Sequence, residues 1–381
     1  MSAGIKKILK KILPVPFLKD VFLLFNKVRI RSVDKVLFPE YKIDKKEFSI
    51  YRNGFPFRES GVMLNDLPEN EVKVLMRSWY EWTQEEFLLR FNTPCWIEPD
   101  YGWAIVEPMR LVYYSLGVSR TLFQRKPSLY RFFRKKNILK FQRTISLRDT
   151  GEENYFHFYN DVLTKIFFLT KQNIDIVAVP VIISKKLWDK KYFQFYLQHL
   201  PLLSSINWAV QGPDQYIQSN STIFCKPLTH RIDLWNQIFN PITITGHSGV
   251  RKKIYLTRGK TRLRFIENSN EIEAVCKRHG LEVLDADHLG IEEQIKLFAQ
   301  TSVIVGIHGA GLTNMIYSLN CKVLEIFPPP DLGYLPYHYI LLANMKGFPY
   351  RGIIGERGKN VYSGGFYLDP VRFETELTEF L

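Results

Sequence analysis

Residues 301–329 read TSVIVGIHGAGLTNMIYSLNCKVLEIFPP, and the prediction of the fold starts from this stretch. Two apolar runs, residues 302–307 and 322–327, are typical of buried strands. Between them lie a glycine turn at residues 308–311 and a short helical segment at residues 312–317. Small residues where a strand enters a helix let a ligand approach the backbone, and free N–H groups at the helix start favour a phosphate. The alternative is a tight strand–helix connection that binds nothing.

The alternation of strand and helix extends towards the N-terminus. The pattern predicts strands over residues 253–257 and 281–284 and helices over residues 268–279 and 291–299, with a capping box at Asn268. Such alternation predicts a parallel, doubly wound sheet. Ligands of these sheets lie beyond the carboxyl ends of the strands.

Basic and polar residues converge at those strand ends, as a diphosphate site requires. Arg258 and Arg264 would neutralise two phosphates, and the backbone after His308 and the Thr313 hydroxyl would add hydrogen bonds. Glu325 could accept hydrogen bonds from ribose hydroxyls. The alternatives are exposed solubility charges for the two arginines and a buried ion pair for Glu325.

A second site-like stretch lies in the N-terminal half. A strand is expected at residues 145–147, and Asn154 is expected to cap a helix that carries His157 and Asp161. These two side chains are four residues apart and share one helix face among aromatic residues, where limited water access would shift their pKa values. The alternative is a core helix with a structural His–Asp pair.

The remaining N-terminal elements are read from short apolar runs. Strands are expected over residues 174–180, 181–184 and 208–211, and a helix over residues 185–200.

The length of 381 residues favours two domains. The expected division is a basic arm at residues 1–31, an N-terminal domain at 32–249, a C-terminal Rossmann-like domain at 250–345, and a segment at 346–381 that packs back on the N-terminal domain.

Composition indicates a packed protein with an anionic partner. The hydrophobic fraction is 46% and the net charge is +14. Nucleic acid, anionic lipid and a nucleotide-linked substrate all fit this charge. The four cysteines are far apart without metal-binding spacing, which favours a reducing compartment over a zinc site.

The arm at residues 1–31 alternates apolar residues at helical spacing with lysines before Pro14 and Pro16. It fits a helix lying on an anionic membrane, or equally a helix packed on the protein body.

Three motifs resemble sites of other kinds. Asp285-Ala286-Asp287 resembles a metal-binding motif but has no third ligand, so a turn is favoured. The turn at His308 resembles an esterase oxyanion turn, yet Gly246-His247-Ser248-Gly249-Val250 does not supply the required nucleophile motif. Neither a P-loop nor GxGxxG is present, which disfavours kinase and dehydrogenase functions.

Several segments taken together are similar to family 61 glycosyltransferases. These are residues 155–161 (YFHFYND), residues 255–258 (YLTR) with Arg264, Glu267-Asn268 with Glu271, Glu292 and Gln294-Ile295 with Phe298-Ala299, and residues 305–314 (VGIHGAGLTN). The similarity covers residues 143–329 and is densest from Tyr255 onward.

The resemblance implies a GT-B fold, with two Rossmann-like doubly wound domains facing a cleft. It also implies inverting sugar transfer from a nucleotide-sugar, expected to be UDP-linked, without a metal or other cofactor. His157 or Asp161 would be the catalytic base. The implied donor-binding residues are Arg258, Arg264, His308, Gly309, Ala310, Gly311, Leu312, Thr313, Asn314 and Glu325.

Unpaired cysteines and the lack of a luminal anchor favour resemblance to bacterial members that make capsular or other surface polysaccharides. The expected acceptor is therefore a glycan or a lipid-linked glycan. The expected location is the cytoplasmic face of the membrane, bound peripherally through residues 1–31, with no nucleic-acid partner.

Other functions compete with this hypothesis. A polyanion or nucleic-acid binder would explain the charge but leaves the strand-end motifs unexplained. An epimerase or hydrolase acting on a nucleotide-sugar would use a similar sheet, and a catalytically silent scaffold would keep the fold alone.

Overall fold

The computed structural model describes residues 37–54, 83–116, 126–229, 231–239, 251–259, 264–329, 337–358 and 365–381. They form two compact units, the first containing the described residues 37–54 and 84–239 and the second those from 251 to the C-terminus. The predicted arm at 1–31, the predicted domain boundary at 249 and the Ser248 motif lie outside the described residues.

The N-terminal unit is built on a nine-stranded sheet. Its strands are β1 (Phe48–Asn53), β2 (Glu85–Phe91), β3 (Cys95–Ile97), β4 (Ala104–Val106), β5 (Arg110–Val112), β6 (Lys136–Ser146), β7 (Val181–Ser184), β8 (Trp208–Gln211) and β9 (Gln215–Lys226). Their order is β5-β4-β3-β9-β6-β7-β8, and β2 pairs with both β9 and β1. The neighbours from β9 through β6 and β7 to β8 are parallel, and all others are antiparallel.

This sheet is mixed, whereas the family resemblance implies a doubly wound, Rossmann-like domain. The connections from β3 to β4 and from β4 to β5 are too short for the crossover that parallel neighbours need. The predicted strands at 181–184 and 208–211 are confirmed, and the predicted strand at 145–147 is the end of the longer β6.

The helices of this unit are mostly short. They are Leu129–Phe133, Tyr155–His157, Thr164–Lys171, Lys185–Trp188, Lys191–His199, Pro201–Ser205 and Ile232–Phe239, with a π-helical segment at Phe158–Leu163 and 3-10 helices at Lys45–Glu47 and Tyr113–Ser115. The predicted helix over 185–200 is therefore interrupted after its first turn, at residues 189–190. The predicted strand at 174–180 is wrong, because the Asp175 carboxylate accepts the backbone N–H groups of Val177 and Ala178 and forms a turn.

Alternate residues of this sheet face two separate cores. Ala104 and Val106 pack in one cluster, and Ile105 between them packs in the other. Both faces are therefore covered, and polar groups at the strand ends can be buried as well.

The C-terminal unit contains a five-stranded sheet in which all neighbours are parallel. Its strands are β10 (Lys252–Leu256), β11 (Glu282–Leu284), β12 (Thr301–Ile307), β13 (Lys322–Phe327) and β14 (Tyr350–Ile354), in the order β11-β10-β12-β13-β14. A two-stranded sheet joins β15 (Glu356–Arg357) to β16 (Phe366–Tyr367). The helices are Ser269–Arg278, Ile291–Ala299, His338–Met345 and Pro370–Phe380, with 3-10 helices at Ala286–His288 and Ala310–Tyr317.

Helices cover both faces of this parallel sheet, which confirms the doubly wound prediction for this unit. Val303, Val305 and Ile307 pack in one core with residues of the helices Ser269–Arg278 and Pro370–Phe380. On the other face, a Cβ built on Gly306 would lie 3.0 Å from Leu312 Cδ2 of the 3-10 helix.

The C-terminal segment completes this same unit. Strand β14 pairs with β13, and Phe373 and Leu377 of the last helix share a core with Ile272 and Cys276. The predicted packing of residues 346–381 on the N-terminal domain is therefore wrong, because the fifth strand and its apolar helix fill an open edge and face of the C-terminal sheet.

The predicted capping box at Asn268 and Glu271 is also wrong. The Asn268 carboxamide instead donates to Leu368 O at 2.8 Å and accepts from Leu368 N at 3.2 Å. Asn268 thus ties the first helix of the unit to the C-terminal segment.

Candidate functional site

The glycine turn lies at the carboxyl end of β12, as predicted. Gly309 makes room for an arginine, because a Cβ at this position would lie 2.5 Å from Arg258 Nη1. That nitrogen donates to His308 O at 3.2 Å. At Gly311 the nearest atom to a built Cβ is 3.9 Å away, so only the first glycine is needed for the close approach. The structure therefore brings Arg258 and the turn together.

Arg264 lies near the same place and has a left-handed backbone, with φ of 67°. Burial raises the pKa of the Tyr339 phenol, and the Glu325 carboxylate adds to this increase. The Arg264 and Arg258 guanidinium groups act in the opposite direction on the pKa of Tyr339. Both arginines are thus within electrostatic reach of one buried phenol at the end of the sheet.

His308 and Glu325 form a buried pair. His308 Nδ1 is hydrogen-bonded to Glu325 Oε1, and Tyr350 donates to Glu325 Oε2 at 2.7 Å. The His308 ring also stacks on Phe327, with centroids 5.6 Å apart. Glu325 is fully buried with both carboxylate oxygens engaged, so it orients His308 and does not face a ribose as the sequence predicts.

Leu312, Thr313 and Asn314 are buried as well. Asn314 donates to Gln294 Oε1 at 2.7 Å, which holds the 3-10 helix against the helix Ile291–Ala299. The structure thus directs these side chains into the unit, in contrast to the predicted ligand contact of the Thr313 hydroxyl. The groups left partly exposed for a ligand are Arg258, Arg264 and the backbone of residues 309–311.

In the N-terminal unit, Asn154 caps the helix as predicted and accepts from Phe156 N at 3.0 Å. The chain then enters the π-helical segment Phe158–Leu163, a rare geometry that is frequent at functional sites. Asp161 lies in this segment, and its Oδ2 is 2.6 Å from His157 Nδ1. The predicted His–Asp contact is therefore present.

The two partners differ in burial and charge. The His157 side chain is 34% exposed and that of Asp161 only 2%. Burial lowers the pKa of His157, but the hydrogen bond and charge of Asp161 outweigh it, so the pKa is raised above its ordinary value of 6.5. Burial raises the pKa of Asp161, but the neighbouring Lys226 and His157 outweigh it and hold the pKa well below its usual range.

Sequence reasoning missed the buried charges behind this pair. Lys226 Nζ contacts Asp161 Oδ1 and lies 3.4 Å from Asp149 Oδ2. Lys165 Nζ lies 2.8 Å from the same Asp149 oxygen. The sequence signal is a lysine directly after the short apolar run at residues 223–225. The parallel register that brings β9 beside β6 cannot be read from residue patterns.

Residues 155–324 match the family model Glycosyltransferase 61. This region includes the His157–Asp161 helix, Arg258 and the glycine turn. This part of the chain is therefore similar to family 61 glycosyltransferases. Two carboxylates that orient the site residues, Asp149 and Glu325, lie just outside the region matched by the family 61 model.

Three rice proteins (Oryza sativa subsp. japonica) are similar to part of this chain. The alpha-1,3-arabinosyltransferase XAT2 is 25% identical over 209 residues, which is 48% of this chain and 35% of that protein. The alpha-1,3-arabinosyltransferase XAT3 is 24% identical over 206 residues, again 48% and 35%. The beta-1,2-xylosyltransferase RCN11 is 30% identical over 117 residues, 27% of this chain and 21% of that protein. The chain thus spans about a third or less of the length of these relatives.

Other sequence features have plain structural roles. Asp285 accepts the backbone N–H of Asp287 at 3.1 Å and caps a 3-10 helix. All four cysteines are buried with free thiols. Among the residues described, no helix combines the length and apolar character needed to cross a membrane.

Proposed function

We propose that this chain is an inverting glycosyltransferase that moves a sugar from a UDP-linked donor to a hydroxyl of a glycan or lipid-linked acceptor. One observation carries the proposal: the Glycosyltransferase 61 match spans both the partly exposed His157–Asp161 pair and the Arg258 turn. The GT-B class that the family resemblance implies is part of the proposal.

The C-terminal unit supplies the donor site in this proposal. Arg258, held by His308 O, and Arg264 carry positive charge at the carboxyl end of a parallel sheet, where phosphates of such folds bind. Backbone N–H groups of residues 309–311 add donors at the start of the 3-10 helix. As the bond from the sugar to the diphosphate breaks, these groups stabilise the charge that develops on the leaving UDP.

His157 is the base in this proposal, and Asp161 supports it. Asp161 is buried, with Oδ1 engaged by Lys226 and by Asn160 at 3.1 Å and Oδ2 engaged by His157. A neutral imidazole that donates Nδ1–H to Asp161 carries its lone pair on Nε2. Nε2 takes the proton of the acceptor hydroxyl while the hydroxyl oxygen forms the new bond to the sugar.

The proposal extends to the sugar, the acceptor and the location. The rice relatives are named for arabinosyl and xylosyl transfer, which supports a pentose donor. The net charge of +14 supports work at an anionic membrane surface. We propose in addition that this surface is the cytoplasmic face of the membrane and that the reaction belongs to surface polysaccharide synthesis. The proposal includes no metal, no other cofactor and no nucleic-acid partner.

The test is incubation with UDP-xylose, UDP-arabinose, UDP-glucose and UDP-N-acetylglucosamine, with and without oligosaccharide and lipid-linked acceptors. Mass spectrometry is expected to show a new glycoside only when donor and acceptor are both present, and loss of that product in His157→Ala. Free sugar formed without acceptor would indicate a hydrolase, and an isomerised donor would indicate an epimerase. Either result would contradict the proposal.

A further inference from the structure

Four buried charged groups lie behind His157. Lys165, Lys226, Asp149 and Asp161 each have side chains no more than 2% exposed. The two lysines and the two aspartates balance in charge. Asp161 contacts His157, whose side chain is 34% exposed. The cluster is therefore connected to the surface through His157.

The contacts follow a fixed sequence. Lys165 Nζ binds Asp149 Oδ2 at 2.8 Å and faces the carbonyl oxygens of Leu147 and Arg148 at 3.5 and 3.4 Å. Lys226 then bridges Asp149 and Asp161, and Asp161 contacts His157. Lys226 therefore contacts Asp161, the carboxylate that is bonded to His157. Lys165 contacts the other carboxylate, Asp149.

Fold stability alone does not account for this arrangement. Removing charges from water costs free energy that mutual attraction repays only with good geometry, and apolar side chains often fill such sites with no loss of stability. Buried ion pairs that adjoin a partly exposed titratable group are therefore candidates for tuning that group.

We propose that Lys226 is a positioning residue that holds Asp161 with Oδ2 towards His157 and sets a positive charge beside that carboxylate. Lys226 and Asn160 occupy Oδ1, so one carboxylate oxygen is left for His157 Nδ1. This contact fixes the Nδ1–H tautomer and directs the lone pair to Nε2. The catalytic part of this inference rests on the proposed function.

Charged groups from three elements act on His157. Asp161 on its own helix and Asp149 on the loop after β6 raise the pKa of His157, and Lys226 at the end of β9 lowers it. Without the Lys226 charge, the imidazolium would be stabilised further, and the base would be protonated over more of the neutral pH range.

The test is an NMR titration of the His157 imidazole nitrogens, assigned with His157→Gln. Lys226→Met is expected to raise the pKa of His157 by about one unit, the scale of a neighbouring charge. Lys165→Met is the matched control, since it removes a buried lysine of the same cluster that does not contact Asp161. It is expected to shift the pKa of His157 much less. An unchanged pKa in Lys226→Met, or equal shifts in the two variants, would overturn the inference.

Two further variants keep the test decisive. If Lys226→Met does not fold, Lys226→Gln removes the charge and keeps a hydrogen-bond donor, and the same rise is expected. Lys226→Arg restores the charge and is expected to return the pKa towards that of the wild type. In kinetic assays the acid limb of kcat/KM moves with the NMR value. A shifted imidazole pKa in a chain that transfers no sugar would contradict the proposed function and leave the Lys226 inference intact.

Discussion

The two units hold similar pairs of residues in different surroundings. In each, the Nδ1 of a histidine contacts a carboxylate: Asp161 for His157 and Glu325 for His308. The His157 side chain is 34% exposed and its carboxylate is shared with Lys226, whereas the His308 side chain is 6% exposed and its carboxylate is shared with Tyr350.

The same type of pair, a histidine bonded to a carboxylate, can serve two purposes according to how exposed the imidazole is. A partly exposed imidazole with a buried carboxylate behind it can exchange a proton with a substrate. An imidazole packed against Phe327 and Tyr339 and hydrogen-bonded to a buried carboxylate is fixed within its unit. We therefore expect chemistry at the first pair and donor placement at the second.

The largest effect expected from this comparison is on turnover. His157→Ala is expected to lower kcat by about 10²- to 10⁴-fold, the usual contribution of a general base, with little change in donor affinity. Steady-state transfer assays measure it. His288→Ala, which changes an imidazole that is 86% exposed, is the control. Turnover within a few-fold of wild type in His157→Ala would remove the base from this pair.

The next effect concerns the glycine turn. In Gly309→Ala the new methyl carbon would lie 2.5 Å from Arg258 Nη1, so the guanidinium must move. Displacement of a positioning group by about 1 Å can cost roughly 10²-fold in kcat/KM. Gly311→Ala is the matched control, because its Cβ meets no atom closer than 3.9 Å. Equal losses in the two variants would show that Arg258 is not the cause.

The pH dependence of kcat/KM tests the role of the His157–Asp161 pair. A base must be unprotonated, and the pKa of His157 is raised above 6.5, so kcat/KM is expected to fall as the pH drops through that raised value. The decrease approaches about tenfold per pH unit below it, as for a single ionisation. The pKa of Asp161 is lowered, so Asp161 contributes nothing in this window. An acid limb confined to pH values below 6.5 would contradict the assignment.

The smallest effect on activity is expected behind His308. Tyr350→Phe removes a 2.7 Å hydrogen bond to the buried Glu325 carboxylate, which is expected to lower the free energy of unfolding by about 2 kcal/mol. Urea denaturation measures it. Tyr130→Phe, at a side chain that is 65% exposed, is expected to change stability by less than about 0.5 kcal/mol. Similar changes in both variants would mean that the Glu325 contact adds no stability.

The C-terminal unit could be predicted from the sequence far better than the N-terminal one. Its apolar runs alternate with helical patterns, and the predicted helix over 291–299 and strand over 322–327 have the observed bounds. The turn at Gly309 and the nearness of Arg258 follow because carboxyl ends of parallel strands meet at one edge. The sequence does not place the C-terminal segment correctly, because the pairing of β14 with β13 leaves no local signal.

In the N-terminal unit the sequence predicts the local features, such as a capped helix, but not the contacts between residues far apart in the chain. Asn154 and the spacing of His157 and Asp161 predict a capped helix with one polar face. Lys226 is 65 residues from Asp161 in sequence, and it reaches the pair only through the parallel register of β6 and β9. Burial of Glu325 and Asn314 likewise depends on packing that residue types do not specify.

One measurement tests the division of roles most directly: the affinity for UDP, by calorimetry, of the wild type, His157→Ala and Arg258→Ala, with Arg278→Ala as a control at a side chain that is 56% exposed. We expect His157→Ala and the control to bind UDP as the wild type does. Arg258→Ala is expected to bind at least about tenfold more weakly, because a charge-assisted hydrogen bond is lost. Wild-type affinity in Arg258→Ala together with lost affinity in His157→Ala would contradict the account.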